Sequence, residues 1–312
     1  MKYKFSALLT ILFFFLILLF PKECVAGASK GLVLWFDVVL PTLLPFLILS
    51  NLLLATRAVD LISRVISPVF CRLFHVSNYG SFVVLTGFLC GYPMGSKLAS
   101  DLLREQKISY QEAFYLLSFC NNTSPMFIIS FLLLQNLKSP TLTIPSLLIL
   151  MGSPILCSFL FRKISMPCRL KNKAPATKTD LGQIRESGLL DHCIMDGFET
   201  ITKIGGYMML FTILIELGQL LPSLTPELYT VLLSPLEMTI GIVSICQSSL
   251  SFPCKYVLSL ALTSFGGVCC LAQTKCMIQK SGLPITPYII QKLITAGVTS
   301  LLAVCYLFFF TK

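Results

Sequence analysis

Long apolar runs are the feature that most constrains this chain, because six of them have the length of a membrane span. Each holds roughly 17 to 25 mainly apolar residues, enough for a helix to cross a hydrocarbon core of about 30 Å. Hydrophobic residues make up 55% of the 312 positions and charged residues only 12%, which excludes a soluble globular domain. We therefore predict a polytopic, all-α membrane protein. The six runs are Phe5–Phe20, Val33–Leu54, Tyr110–Leu134, Leu142–Phe161, Ile204–Leu221 and Tyr288–Phe310.

Two further apolar stretches, Tyr79–Tyr92 and Tyr256–Leu271, are too short to cross the membrane comfortably and too apolar to be loops. We predict that they are re-entrant or half-spanning elements. The N-terminus allows two interpretations, because Lys2 and Lys4 precede an apolar run that is followed by "CVAGASKG", a pattern that secretory signals share. We expect a retained first span, with a cleaved signal peptide as the alternative.

The net charge of +10 is explained by membrane topology rather than by a nucleic-acid partner, since the basic residues flank apolar runs instead of clustering on a soluble face. The 13 cysteines contain no CxxC pair and most lie in apolar windows, which is typical of buried thiols. The sequence has no nucleophile elbow, phosphate-binding loop or zinc-ligand spacing. We expect no catalysis, no metal, no cofactor and no nucleic-acid partner.

The chain contains a weak internal repeat. "SPVFCRLFHVS" (Ser67–Ser77) aligns with "SPLEMTIGIVS" (Ser234–Ser244), and Gly31–Leu54 corresponds to Gly197–Leu220 in the same order. Lys and Arg residues are retained on the cytoplasmic side of a membrane. The first half is rich in them around its short apolar stretch, and the second half is poor, so the two halves are expected to be inverted. The basic residues compared are Arg57, Arg64, Arg72, Lys97, Arg104 and Lys107 against Lys255, Lys275 and Lys280.

Inverted repeats that meet near the bilayer midplane at interrupted helices are the recurring architecture of secondary transporters. The predicted organisation is an N-terminal transmembrane anchor at 1–30, a first repeat at 31–161, a basic cytoplasmic linker at 162–190 and a second, inverted repeat at 191–312. The architecture therefore predicts a transport function.

The first predicted helix break is "GYPMGSK". Irregular backbone at membrane depth survives only where it is buried in protein or lines a wet cavity, so these residues predict an interruption beside a cavity. The alternative is the tight turn of a helical hairpin, with glycines for close packing. Lys97 could neutralise an anionic substrate or belong to the cytoplasmic basic flank. The candidate site residues are Gly91, Tyr92, Pro93, Gly95, Ser96 and Lys97.

The second predicted break is "CNNTSP", four polar residues and a proline inside an apolar run. A Ser or Thr before Pro is typical of a helix start, so the run is predicted to be two half-helices, the second with its positive dipole end inside the membrane. Such an end attracts a carboxylate or phosphate. The alternative is a kinked span whose polar side chains contact neighbouring helices. The candidate residues are Asn121, Asn122, Thr123, Ser124 and Pro125.

The second half carries weaker versions of both breaks. It keeps Gly266, Gly267, Gln273 and Thr274 but no proline, and its counterpart of the asparagine break keeps only polar residues near Thr299. Any site is therefore expected to be lopsided.

Glu237 lies between apolar neighbours and is our candidate for proton or cation coupling, with a water-facing position on an interfacial helix as the alternative. Asp37 and Glu216 are weaker candidates. His75 and His192 have no partner cluster, and we expect no ligand role for them.

Four motifs, "LPTLLPFLILSNLL", "GFLCGYPMGSKLASDL", "SFCNNTSPMFI" and "SPLEMTIG", resemble the YlbJ (SpoVV) sporulation integral membrane proteins. Proteins of that family carry two copies of the nucleoside-recognition or gate domain, which is shared with concentrative nucleoside transporters, FeoB, SpmA and SpmB. The resemblance implies a fold of helical hairpins and broken helices.

The resemblance also implies a substrate, dipicolinic acid, moved across the outer forespore membrane by alternating access. Donors at Asn121–Ser124 would hold its carboxylates, and Gly91 and Gly95 would allow close approach of its planar ring. Transport of a nucleoside or related heterocycle and a non-transporting scaffold for spore envelope assembly are the alternatives. The expected partners are a small anionic molecule, the lipid bilayer, a coupling proton or cation and a second copy of the chain.

Overall fold

The computed structural model describes residues 2–56, 58–165, 188–220 and 226–310. Within these ranges the chain is almost entirely helical and contains no strand. The predicted all-α polytopic membrane fold is therefore confirmed. Most of the predicted basic linker 162–190 lies outside the described residues.

The helices follow one another with few loops. In chain order they are α1 (Lys2–Leu19), α2 (Pro21–Leu34), a π-helical turn (Trp35–Val39), α3 (Leu40–Ala55), α4 (Ala58–Phe74), α5 (Asn78–Cys90), α6 (Met94–Arg104), α7 (Tyr110–Cys120), a π-helix (Phe127–Asn136), a 3-10 turn (Pro140–Leu142), α8 (Thr143–Ser165), α9 (Leu189–Gly218), α10 (Pro226–Leu233), a 3-10 turn (Ser234–Leu236), α11 (Met238–Gln247), α12 (Phe252–Phe265), α13 (Gly267–Ile278), a 3-10 turn (Gln279–Ser281) and α14 (Ile285–Phe310).

Five helical segments of the described chain are long and apolar enough to cross a membrane. Four of them contain or overlap predicted spans, and outward-facing side chains such as Ile144 and Leu148 on α8 are about 70% exposed, as expected for a surface in contact with lipid. The five segments are Pro21–Ala55, Pro140–Lys163, Leu189–Gly218, Phe252–Ser281 and Ile285–Phe309.

The two short apolar stretches behave differently. Tyr79–Tyr92 forms most of α5, which has 13 residues and meets α4 at 89°, in agreement with a half-spanning element. Tyr256–Leu271, in contrast, lies inside the 30-residue segment Phe252–Ser281, which is long and apolar enough to cross a membrane and is therefore longer than the sequence predicted. The segment is broken between α12 and α13, where Gly266 and Gly267 both have positive φ, as the paired glycines predicted, and its half-spanning position stays a prediction.

Side-chain caps set the starts of the helices around the first break. Ser77 accepts a hydrogen bond from the Gly80 N–H at the start of α5 (3.1 Å), and Ser109 accepts one from the Glu112 N–H at the start of α7 (3.1 Å). The Glu112 carboxylate in turn accepts from the Ser77 N–H (2.6 Å). These bonds satisfy N–H groups that a helix leaves free at its start, and they join α5 to α7.

Two clusters of buried apolar side chains form the core, and the polar segment 121–124 lies between them. The first cluster is built on α5, α6 and α7 and includes Phe119 and Cys120. The second is built on the π-helix, α8, α11 and α12 and includes Phe127 and Ile128. The chain therefore passes from one core to the other through its most polar buried stretch.

The stretches aligned as repeats, Gly31–Leu54 and Gly197–Leu220, pack against each other. At Gly27 a Cβ atom would lie 2.8 Å from the Ile213 Cα, so α2 and α9 approach closely through small residues, as membrane helices often do. The Trp35 indole N–H donates to the Ile201 carbonyl (2.9 Å). The inverted relation of the two halves stays a prediction.

Candidate functional site

The first break is a sharp turn between two short helices. Helix α5 ends at Cys90, Gly91 has φ +89°, the Tyr92–Pro93 peptide bond is cis, and α6 begins at Met94. Gly91 is suited to this position because a positive φ strains residues that carry a Cβ. The Tyr92 hydroxyl, on a buried side chain, donates to the Ser264 carbonyl of α12 (3.1 Å). The turn is thus buried in protein and attached to the second half of the chain.

The second break separates α7 from the helix that begins at Pro125, as the sequence predicted. Asn121, Asn122, Thr123 and Ser124 are 0–7% exposed. The Ser124 hydroxyl accepts from the Phe127 N–H (3.2 Å), which is the predicted cap. Pro125 occupies the first turn, where its missing N–H leaves no helical bond unmade. The prediction of two half-helices is therefore confirmed.

Asn121 joins three helices. Its side-chain N–H groups donate to the Thr274 hydroxyl of α13 (2.9 Å) and to the Tyr288 hydroxyl of α14 (2.8 Å). Its side-chain oxygen accepts from the Ser96 N–H of α6 (3.3 Å). Thr123 donates to the Thr263 carbonyl of α12 (2.8 Å). The first-half break is therefore tied to the second half by specific polar contacts, as buried polar groups require.

A cavity of about 60 Å³ lies where the breaks meet. It is large enough for a few water molecules. Six predicted residues line it: Gly91, Tyr92, Thr123, Ser124, Glu237 and Gln273. Polar or thiol groups from Thr42, Thr239 and Cys270 and apolar side chains from α3, α9 and α11 complete the wall. The cavity thus combines polar groups of both halves with an apolar surround, as ligand sites commonly do.

The other predicted residues lie around the cavity rather than on it. Their contacts are with the protein, so they hold the two breaks in position. They are Pro93, Gly95, Ser96, Lys97, Asn121, Asn122, Pro125, Gly266, Gly267 and Thr274.

The glycines of the two breaks allow backbone segments to touch. A Cβ at Gly95 would lie 2.2 Å from the Cys120 carbonyl oxygen, and one at Gly91 would lie 2.9 Å from the Ser124 nitrogen. At Gly266 the nearest atom is in the Tyr92 ring (2.9 Å). The space beside Gly95 is therefore filled by the chain itself, which corrects the expectation that a substrate ring approaches there and agrees with the packing alternative.

Lys97 contacts carboxylates of the protein, and its place in the cytoplasmic basic flank stays a prediction. Its ammonium group is buried and pairs with Asp101 (3.1 Å) and with Asp196 of α9 (3.0 Å), and it also donates to the Asn51 side chain of α3 (3.2 Å). Two carboxylates already neutralise it, so its charge is unavailable to a substrate. The cluster instead links α6 to α3 and α9.

Glu237 is buried, 3% exposed, so the alternative of a water-facing interfacial position was wrong. Its carboxylate caps α11, accepting from the Ile240 N–H (2.8 Å) and from the Thr239 hydroxyl, and it lines the cavity. The weaker candidates lie elsewhere: Asp37 is exposed and Glu216 pairs with Lys30 (2.8 Å). Glu237 is therefore the carboxylate that contacts the cavity among the described residues.

Lys292 is the site residue that the sequence analysis missed. It lies on α14 and is 2% exposed. Its Nζ donates to the backbone carbonyl of Asn121 (3.0 Å) and to the side-chain oxygen of Asn122 (3.2 Å). The signal was available, because Lys292 interrupts the apolar run Tyr288–Phe310. The rule that selected Glu237, that an ionisable residue inside a span is a functional candidate, applies to it equally.

The described residues contain no group of three or more His, Cys, Asp or Glu side chains that could hold a metal ion. The site offers polar side chains, a helix start at Pro125 and the Glu237 carboxylate around one partly open cavity, and the Lys292 amine lies behind the wall at Asn121 and Asn122. This arrangement suits binding of a small polar or anionic molecule.

Comparison with known proteins agrees with this geometry. Residues 36–135 match the Gate family model, described as "Nucleoside recognition", and this range contains both first-half breaks. The chain is 25% identical over 315 residues to the sporulation integral membrane protein YlbJ of Bacillus subtilis (strain 168), covering 88% of this chain and 75% of the relative. No solved structure matches the chain. Residues 36–135 are therefore similar to the Gate nucleoside-recognition family, and most of the chain is similar to the sporulation integral membrane protein YlbJ.

Proposed function

We propose that this protein is a sporulation membrane transporter that moves a small anionic aromatic molecule, dipicolinic acid, across the outer forespore membrane by alternating access. Similarity to a sporulation integral membrane protein supports the setting, and the broken helices support transport, since helices interrupted at membrane depth are typical of secondary transporters. The proposal includes no catalytic step.

The observation that carries the proposal is the cavity between the two halves. Thr123 and Ser124 contribute from the first half, and Glu237 and Gln273 from the second. Sites of alternating-access transporters lie at such a junction because movement of one half against the other can open the site to either side in turn. A scaffold with breaks used only for packing would not need a polar space there.

The wall of the cavity suits a carboxylate. The helix that begins at Pro125 directs the positive end of its dipole toward the Ser124 side, and Thr42, Thr123 and Gln273 add hydroxyl and amide groups. Dipicolinate, a flat ring with two carboxylates, would use these donors for its charged ends and the apolar wall for its ring. In alternating access, separation of the two halves would admit the molecule to this cavity.

Glu237 is our candidate for coupling. A buried carboxylate at the wall can bind and release a proton as the site opens to each side. Release of its hydrogen bonds from Ile240 and Thr239 would then accompany the change in access.

The family description "Nucleoside recognition" favours a second candidate, transport of a nucleoside or related heterocycle. The two differ in the charge of the cargo. A nucleoside is neutral, whereas dipicolinate is a dianion at neutral pH.

Uptake by the purified protein in liposomes distinguishes these functions. We expect labelled dipicolinate to accumulate inside, with little accumulation of labelled uridine, and a pH gradient to drive wild-type uptake but not uptake by Glu237→Gln, which keeps an acceptor for the Ile240 N–H. Glu216→Gln is the matched control, since Glu216 pairs with Lys30 outside the cavity.

Accumulation of uridine instead would favour the nucleoside function. Absence of uptake of either compound, with the same protein still restoring spore formation in a Bacillus subtilis strain that lacks YlbJ, would favour the scaffold.

A further inference from the structure

Lys292 places an amino group inside the protein beside both breaks. It lies on α14 within the candidate span Ile285–Phe309. Besides its hydrogen bonds to Asn121 and Asn122, its ammonium nitrogen lies 4.9 Å from the centre of the Tyr92 ring, a cation–π distance. All three contacts are with neutral groups.

Within the described chain this lysine differs from the other buried lysine. Lys97 has carboxylates of Asp101 and Asp196 at 3.0–3.1 Å, whereas no described carboxylate lies within 4.0 Å of the Lys292 nitrogen. A buried charge without a counter-charge is unfavourable, and neutral oxygens and a ring face compensate it only in part. The site is therefore electrostatically incomplete without an anion.

Lys292 stands directly behind the cavity wall. Tyr92, whose ring it faces, lines the cavity, and so do Thr123 and Ser124, which follow its two hydrogen-bond acceptors in the chain. In a low-dielectric interior a charge acts strongly across one layer of side chains. The four-carbon stem of lysine also allows its ammonium group to exchange a neutral oxygen for a carboxylate.

We propose that Lys292 is the counter-charge of the cargo and the residue by which the site selects anions over neutral heterocycles. This inference rests on the proposed transport function and deepens it. When an anion enters between the separated halves, a carboxylate completes the charge pair that the empty protein lacks. A neutral ring of the same shape leaves the lysine uncompensated and gains less.

The test compares uptake of dipicolinate with uptake of its neutral analogue pyridine-2,6-dicarboxamide in liposomes that contain wild type, Lys292→Arg, Lys292→Gln or Lys292→Met. We expect wild type and Lys292→Arg to prefer the dianion. Lys292→Gln and Lys292→Met should lower the rate of dipicolinate uptake at least tenfold and change the rate of diamide uptake little. The preference for the dianion then disappears.

The matched control is Lys275→Met, which removes an exposed lysine from the neighbouring helix α13 and should keep the preference. Lys292→Gln retains a donor for the Asn121 carbonyl without the charge, so it separates loss of charge from loss of folding. Each variant is compared at equal amounts of monodisperse protein.

Two results would contradict the inference in distinguishable ways. If wild type prefers dipicolinate and Lys292→Gln and Lys292→Met keep that preference, Lys292 is not the counter-charge and the transport function stands. If wild type itself takes up neither dipicolinate nor the diamide, the proposed function fails and this inference fails with it.

Discussion

At the scale of single residues, burial and bonding separate side chains that bound cargo would touch from those that hold the protein together. Thr123 and Ser124 line the cavity, whereas their neighbour Asn121 is fully buried and bonded to three helices. The sequence analysis assigned all of them to one candidate site. A run of polar residues in an apolar segment does not indicate which side chains face a cavity and which face a neighbouring helix. Only the tertiary contacts distinguish binding from support.

We expect Asn121→Ala to lower the free energy of unfolding by about 2–3 kcal/mol, because it removes hydrogen-bond partners of the buried Thr274 and Tyr288 hydroxyls and of the Ser96 N–H. Denaturation of the purified protein in mixed detergent micelles would measure this. Asn136→Ala is the control, since Asn136 makes one local bond, to the Phe131 carbonyl, on a partly buried side chain. An equal loss in both variants would show that Asn121 has no special structural role.

At the scale of elements, the sequence predicted the breaks well, including the one at Gly266 and Gly267 between α12 and α13, but it underestimated the length of the segment Phe252–Ser281. Gly91, Pro93 and the Ser124–Pro125 pair act through local backbone chemistry, so their effect is visible without the fold. The continuation of α13 through Gln273 and Thr274 depends instead on partners far away in the chain, such as Asn121 for Thr274. A hydropathy window cannot detect a polar side chain that another helix satisfies.

The packing of α6 against the second break gives a prediction for glycine. Gly95→Ala places a Cβ 2.2 Å from the Cys120 carbonyl oxygen, which is too close for two non-bonded atoms. Because α6 has to move away, we expect the free energy of unfolding to fall by about 1–3 kcal/mol. Gly206→Ala is the matched control on α9, where no atom lies within 4 Å of the new Cβ. It should be neutral or stabilising by up to about 1 kcal/mol through helix propensity. Equal thermal unfolding temperatures for both variants would contradict the contact.

At the scale of the whole molecule, polar bonds join the two halves both at the breaks and away from them. Tyr92, Asn121 and Thr123 bond to the second half at the breaks, and Lys97 and Trp35 bond to α9 elsewhere. Movement of one half against the other would therefore change the contacts around the cavity. This arrangement agrees with a site that opens to one side of the membrane and then to the other. Such a mechanism depends on how the two halves are oriented relative to each other.

The inverted orientation predicts opposite sides for two basic positions, one in each half. Arg104, half-exposed at the end of α6, belongs to the basic first-half set and should face the cytoplasm, because Lys and Arg are retained there. Lys275, exposed on α13, belongs to the sparse second-half set and should face the opposite side. To test this, a single cysteine is introduced at 104 or at 275 in a chain whose native cysteines are replaced. A membrane-impermeant maleimide applied to intact cells then labels only a cysteine that faces the outside. We expect labelling at 275 in intact cells and at 104 only after permeabilisation. Labelling of both positions from the same side would remove the inverted arrangement, and with it the symmetry argument for alternating access.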